Sequence, residues 1–174
     1  EQCKKTGIDL PEAGRYAVGN IFLPTGYDTR QGQQILERAV VSEGLELLGW
    51  RDVPVDNSTI GVTARSVEPV IKQVFVGAGP DVKDQLAFER RLYCVRKRTA
   101  WGIRRAGLND NNENFYACSL SSKTLIYKGQ LMAPQLETYY LDLLDPDMVS
   151  ALALAHSRYS TNTFPSWGRA QPFR

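Results

Sequence analysis

The sequence has few of the residues that build metal sites and disulfide scaffolds, with three cysteines and one histidine among 174 residues. Cys3, Cys94 and Cys118 are widely spaced and form no C-x-x-C pair. This spacing argues against a zinc site and against a disulfide framework. We therefore expect no metal ligands in this chain, and a reducing environment.

Long apolar runs and an excess of one charge are also missing. No run approaches the roughly 20 apolar residues that a membrane-spanning helix needs. The 21 basic and 19 acidic residues give a formal charge of +2, which does not predict nucleic acid or anionic lipid as a partner. The sequence opens on Glu1 without an initiator Met or a signal segment, so we expect a piece of a longer protein.

Apolar periodicity and breaker residues predict the order β-α-β-β-α-β-β, followed by a helix and a last strand. Asp28, with Gln31 as a capping box, is predicted to begin the first helix, and Asp81 or Asp84 the second. The predicted strands cover residues 16–23, 45–53, 70–76, 115–120 and 124–127, and the last strand lies in the apolar run at 151–159. The predicted helices cover 28–44 and 84–105, with a long loop at 54–69 and a short helix or irregular segment at 133–144.

The first six predicted elements follow the split-βαβ pattern. The sequence therefore predicts an α+β fold with a split-βαβ-like region at about 16–120 and a hairpin at 115–128. The remaining part, 151–174, is predicted to hold an edge strand and a loop.

The second helix is strongly basic, and two interpretations compete for it. A nucleic-acid surface would place the basic side chains on one face beside stacking aromatics such as Tyr93 and Trp101. A solvated or intramolecular face is the simpler interpretation, because positive charge near a helix C-terminus suits the helix dipole. The basic residues are Arg90, Arg91, Arg96, Lys97, Arg98, Arg104 and Arg105.

The tail carries the residues best suited to binding a small anion. Arg158 follows the last predicted strand, where its planar guanidinium could donate two charge-assisted hydrogen bonds to a carboxylate. Thr161 adds a hydroxyl donor three residues later. Physical reasoning leaves a structural ion pair for Arg158 as an equally good alternative.

The sequence His156-Ser157-Arg158-Tyr159-Ser160-Thr161 resembles the glutamine-binding motif of class II amidotransferases, whose nucleophile is an amino-terminal residue. Its continuation to Pro165 and several upstream segments are similar to the glutaminase domain of glutamate synthases in particular, in the same order along nearly the whole chain. Those segments are residues 49–54, 68–69, 88–93, 119–124 and 127–129, together with 166–167 and 170–173.

The resemblance implies that residues 1–174 are an internal part of an αββα amino-terminal-nucleophile hydrolase domain. It implies glutamine as ligand, with Arg158 on its α-carboxylate and Thr161 assisting. It further implies a parent enzyme that uses FMN and an iron–sulfur cluster to add the released ammonia to 2-oxoglutarate. The remaining domains of that synthase would be partners, in the cytoplasm or the plastid stroma, and no cofactor is expected in this segment.

The family's Cys-Gly nucleophile motif and its oxyanion-binding Asn-Gly pair do not occur in the sequence, so we expect no catalytic residue and no glutaminase activity from this segment alone. Cys94 and Cys118 are predicted to be small core residues and Cys3 incidental. His156 is predicted to make a local hydrogen bond rather than act as a base. The alternative function is a non-catalytic split-βαβ module that binds an amino acid or a partner.

Overall fold

A computed structural model of the chain describes residues 7–108, 115–159, 162 and 164–172. Four strands lie in one sheet: β1 (Tyr16–Leu23), β2 (Glu46–Asp52), β3 (Val70–Gly77) and β4 (Tyr116–Ala117). The helices are α1 (Tyr27–Ser42), α2 (Val62–Ser66), α3 (Gln85–Arg105) and α4 (Gln135–Tyr139), followed by a 3-10 helix, Leu141–Leu144. None of the helices within these residues combines the length and apolar character that a membrane span requires.

The sheet has the strand order β2-β3-β1-β4, and every neighbouring pair is antiparallel. β1 and β3 pair over their whole lengths, from Tyr16 opposite Gly77 to Leu23 opposite Val70. Apart from the short helix α2 between β2 and β3, the elements from β1 to β4 follow the predicted β-α-β-β-α-β order. The predicted α+β class is confirmed.

Both faces of the two central strands are buried, and alternate residues enter different apolar clusters. Ile21 and Leu23 of β1 join Phe88 and Leu92 of α3 in a cluster that lies between the sheet and helices α1 and α3. Phe22, between them in sequence, joins the opposite cluster. That second cluster consists of residues from the loops, from α2 and α4, and from the tail, including Val53, Ile60, Ala64, Cys118, Tyr139, Tyr140 and Trp167.

The ends of the two long helices agree only partly with the sequence patterns. Asp84 caps α3 as predicted, because its carboxylate accepts a 2.7 Å hydrogen bond from the Ala87 amide. The predicted capping box of α1 is wrong, because the N-cap lies two residues earlier, at Gly26, which leaves Asp28 inside the first turn. Gly44, with φ of +66°, terminates α1 in the left-handed conformation that glycine tolerates.

Three predictions for the connections and the tail are wrong. The predicted long loop at 54–69 contains α2, whereas the short helix or irregular segment predicted at 133–144 corresponds to α4 and the 3-10 helix. The predicted hairpin at 115–128 is not formed, because β4 pairs with β1 and residues 124–127 have no strand structure. Residues 151–159 also have no strand structure, because among the described residues no strand lies beside them to share backbone hydrogen bonds.

A polar network ties the 3-10 helix to the second face of the sheet. The Arg51 guanidinium on β2 donates to both carboxylate oxygens of Asp142, whose side chain is 1% exposed. The Tyr127 hydroxyl donates to the same carboxylate at 2.9 Å, and the Gln73 amide donates to the Tyr127 oxygen at 3.1 Å. The network satisfies the buried charges and fixes residues 127 and 142 against β2 and β3.

Replacing Asp142 by Asn should destabilise the protein by about 3 kcal/mol, because the Arg51 charge then loses its buried counter-ion. The matched control is Asp52→Asn, since Asp52 forms an ion pair with Lys72 and the Asp52 side chain is 80% exposed. The control should cost less than about 1 kcal/mol. Urea unfolding of the two variants measures both values, and equal losses would contradict the importance of the buried pair.

Candidate functional site

The tail around Arg158 is extended and exposed. The side chains of Leu152 and Leu154 are exposed by 73% and 91%, and Arg158 is exposed as well. The Arg158 amide donates a 3.2 Å hydrogen bond to Nδ1 of His156, in agreement with the local role predicted for that histidine. The prediction that Arg158 lies just past a strand end is wrong, because the preceding segment is not a strand.

The Arg158 guanidinium is available for an anion. Within residues 7–108, 115–159, 162 and 164–172, no acidic group forms an ion pair with it. The structural ion pair that the sequence left open is therefore not seen in that part of the chain. Thr161, the second predicted ligand-binding residue, lies outside the described residues.

Gly129 contacts the tail directly after Arg158 and again further along. The Tyr159 hydroxyl donates a 2.9 Å hydrogen bond to the Gly129 carbonyl, and burial raises the pKa of Tyr159 to about 12. A Cβ on Gly129 would lie 2.5 Å from the Trp167 ring, so only glycine fits there without displacing that ring. Residue 129 therefore contacts the tail at two places, Tyr159 and Trp167.

Trp167 is anchored to the second apolar cluster. Its side chain is buried and its Nε1 donates a 2.9 Å hydrogen bond to the Ala64 carbonyl on α2. Its ring meets Phe22 edge-on at 5.9 Å between centroids and Tyr139 at 5.4 Å. The tail thus returns to the sheet after the exposed stretch and packs on β1.

Lys128, next to Gly129, binds the end of the tail through its buried ammonium group. Its Nζ donates to three backbone carbonyls, those of Gly168 at 3.0 Å, Ala170 at 2.9 Å and Pro172 at 3.2 Å. The Tyr116 ring lies below the ammonium at 3.9 Å to its centroid. Because an ammonium has three donors, these carbonyls use all of them.

A cavity of about 270 Å³ lies between the end of β1, the segment after α2, and the tail. Two acidic residues, Asp28 and Glu68, line it, and Arg158 does not. Its lining residues are Leu23, Pro24, Thr25, Asp28, Ser66, Val67, Glu68, Pro69, Ser166 and Trp167. The exposed arginine and this cavity are separate features of the described surface.

The cysteines differ in environment. Cys118 is buried as predicted, and burial raises the pKa of its thiol to about 12, so it carries almost no thiolate at neutral pH. The prediction of a core position is wrong for Cys94, which is exposed on α3. Cys3 lies outside the described residues. In the described part of the chain, no group of three or more His, Cys, Asp and Glu side chains could hold a metal ion.

Several basic side chains of α3 have partners within the protein. Arg98 forms an ion pair with Glu43, and Arg91 donates to the Glu43 carbonyl at 3.1 Å. Arg105 lies 4.7 Å from the centroid of the Trp101 ring, and Lys97 packs similarly on Tyr93. These contacts favour the intramolecular interpretation, because each of the two aromatics already has a cation of the same helix over its ring.

The chain is similar to proteins of a known family. The family model for class II glutamine amidotransferases matches residues 1–174. The chain is 46% identical to the large chain of the NADPH glutamate synthase of Bacillus subtilis, covering all of this chain and 11% of that protein. It is 44% identical to the NADH glutamate synthase of Schizosaccharomyces pombe, over 97% of this chain and 8% of that protein.

A ferredoxin-dependent glutamate synthase of Arabidopsis thaliana, named as chloroplastic/mitochondrial, is also 44% identical, over 90% of this chain and 10% of the relative. The chain thus spans about a tenth of the length of these relatives. Because the family model matches from the first residue to the last, the chain belongs to the class II glutamine amidotransferases.

Proposed function

We propose that this chain is part of the glutamine-hydrolysing domain of a glutamate synthase, and that Arg158 and Thr161 bind the α-carboxylate of glutamine. The single observation that carries the proposal is the exposed Arg158 guanidinium, which has no ion pair within the described residues, in a chain of this family. The similarity to glutamate synthases named for NADPH, NADH and ferredoxin supports the proposal that the parent enzyme is a glutamate synthase.

The chemistry of Arg158 suits this role. A guanidinium presents two parallel N–H donors that match a carboxylate, and it stays charged at every physiological pH. The neighbouring Tyr159 is held by the Gly129 carbonyl, so the backbone that carries Arg158 has a fixed point beside it. A fixed backbone lowers the entropy lost when the side chain grips its ligand.

We further propose that the sheet and helices α1 and α3 form one β layer and one α layer of an αββα domain. The packing of α1 and α3 together on one face of the sheet supports this arrangement, because it puts one helical layer on one β layer. Glutamine hydrolysis would then use an amino-terminal cysteine of the parent protein as nucleophile. The ammonia would be used elsewhere in the parent, where FMN and an iron–sulfur cluster supply the reductive chemistry of adding it to 2-oxoglutarate.

Arg158→Lys in the full-length protein should raise the KM for glutamine about 10- to 100-fold, because losing a charge-assisted hydrogen bond costs about 1.5–3 kcal/mol. Synthesis with ammonia in place of glutamine should stay at the wild-type rate, since ammonia does not need the carboxylate site. Steady-state kinetics with each nitrogen source measures both effects.

The matched control is Arg169→Lys, because Arg169 is another exposed arginine of the same tail. It should leave the KM for glutamine unchanged. An unchanged KM for Arg158→Lys would remove Arg158 from the site. Loss of ammonia-dependent synthesis as well would point to a general defect, and absence of any glutamine consumption in the wild type would favour the non-catalytic binding module.

The 174-residue chain alone should form no covalent thioether adduct with an alkylating glutamine analogue. Cys118 is buried with a raised pKa, and Cys94 is exposed on α3 away from Arg158 in sequence. Iodoacetamide, as a positive control, should label Cys94 in the native chain and Cys118 only after unfolding in urea. Mass spectrometry measures both reagents, and saturable labelling of any cysteine by the analogue would contradict the proposed inactivity.

A further inference from the structure

We propose that the Lys128-Gly129 pair is a positioning element for the part of the tail that carries Arg158, because it holds the tail at Tyr159 and again at residues 168–172. This inference rests on the proposed function, which assigns Arg158 and Thr161 to glutamine. The pair is not proposed to touch glutamine or the reacting atoms. It acts through the backbone that carries Arg158 and Thr161.

The two anchor points on the tail are Tyr159 and residues 168–172. On one side, Tyr159 follows Arg158 directly and its hydroxyl is bound by the Gly129 carbonyl. On the other side, the Lys128 ammonium binds the carbonyls of Gly168, Ala170 and Pro172. A loop whose two ends are bound to adjacent residues has fewer conformations than one bound at a single end.

The pair is itself fixed to the second face of the sheet. The Tyr140 hydroxyl, fully buried, donates a 2.7 Å hydrogen bond to the Lys128 carbonyl. Tyr116 of β4, whose ring lies against the Lys128 ammonium, connects the lysine to the edge of the sheet, since β4 pairs with β1. Movement of the loop ends relative to the sheet would therefore break several buried contacts at once.

Stability alone does not account for a charged group at this position. Burial lowers the pKa of Lys128 to about 8, Arg96 acts in the same direction, and the facing Cys118 opposes both. Between that value and the ordinary 10.5, the unfolded chain holds more protons than the folded chain, so stability rises with pH across this window. The Lys128 side chain thus stays charged at neutral pH, although the burial of that charge costs stability.

What the ammonium contributes is geometry. Three carbonyls from different residues converge on one compact donor, which an apolar side chain of similar length cannot replace. Displacing a substrate-binding group by about 1 Å can cost up to about 100-fold in activity. The lysine therefore has its effect on the position of Arg158 and Thr161 relative to the rest of the site.

The test is Lys128→Met in the full-length protein, with Lys123→Met as control because Lys123 is an exposed lysine of the same segment. We expect the KM for glutamine to rise at least about tenfold, with the rate of ammonia-dependent synthesis retained. Hydrogen exchange should become faster at residues 162–172 while α3 keeps its protection. Lys123→Met should behave as the wild type in all three measurements.

An unchanged KM in Lys128→Met, with a glutamine-dependent wild type, overturns the positioning role and leaves the proposed function standing. A wild type that consumes no glutamine overturns the proposed function itself. If α3 also loses protection and the variant is unfolded, Tyr159→Phe replaces it as the test, since it removes only the hydrogen bond to Gly129. That variant should raise the KM for glutamine several-fold, and an unchanged KM overturns the proposal.

Discussion

Burial of both faces of β1 and β3 is the constraint on which the rest of the structure depends. A strand buried on both sides needs two separate covers, and helices α1 and α3 supply only one of them. The other cover is built from residues within 53–64 and 118–143 and from Trp167, and it includes the rings of Tyr139 and Tyr140. The segment that carries the candidate glutamine site is therefore also part of the core, which couples the position of the tail to the folding of the sheet.

This coupling is polar as well as apolar. Asp142 neutralises Arg51 under the 3-10 helix, and Tyr127 bridges that carboxylate to Gln73 on β3. The next residue, Lys128, binds the carbonyls at the end of the tail. The consecutive residues Tyr127 and Lys128 thus connect the sheet to the tail through buried hydrogen bonds. Such a network favours a single arrangement of the tail on the sheet, because leaving a buried polar group unpaired is costly. Arg158 extends into solvent beside Tyr159, which is anchored to the Gly129 carbonyl.

The parts predicted well from the sequence are those determined by local patterns. Residues 16–23 and 70–76 have the apolar content and the terminating residues of strands, and Asp84 has a capping position that needs no distant partner. Residues 151–159 look equally strand-like, yet a strand forms only beside another strand. The N-cap of α1 is Gly26 and not Asp28, because the helix begins earlier than the capping-box pattern indicates. Cys94 was misplaced because its face of α3 is exposed.

Lys128 could not be found from the sequence, since its three carbonyl partners lie 40 to 44 residues away and carry no side-chain signal. Arg158 could be found, because its motif is local. The most direct test of its role is a structure of the full-length protein with glutamine bound. The proposed role of Arg158 predicts that both carboxylate oxygens of glutamine lie within about 3 Å of the Arg158 guanidinium nitrogens. Glutamine bound elsewhere, with Arg158 in solvent or paired with an acidic side chain, would contradict it.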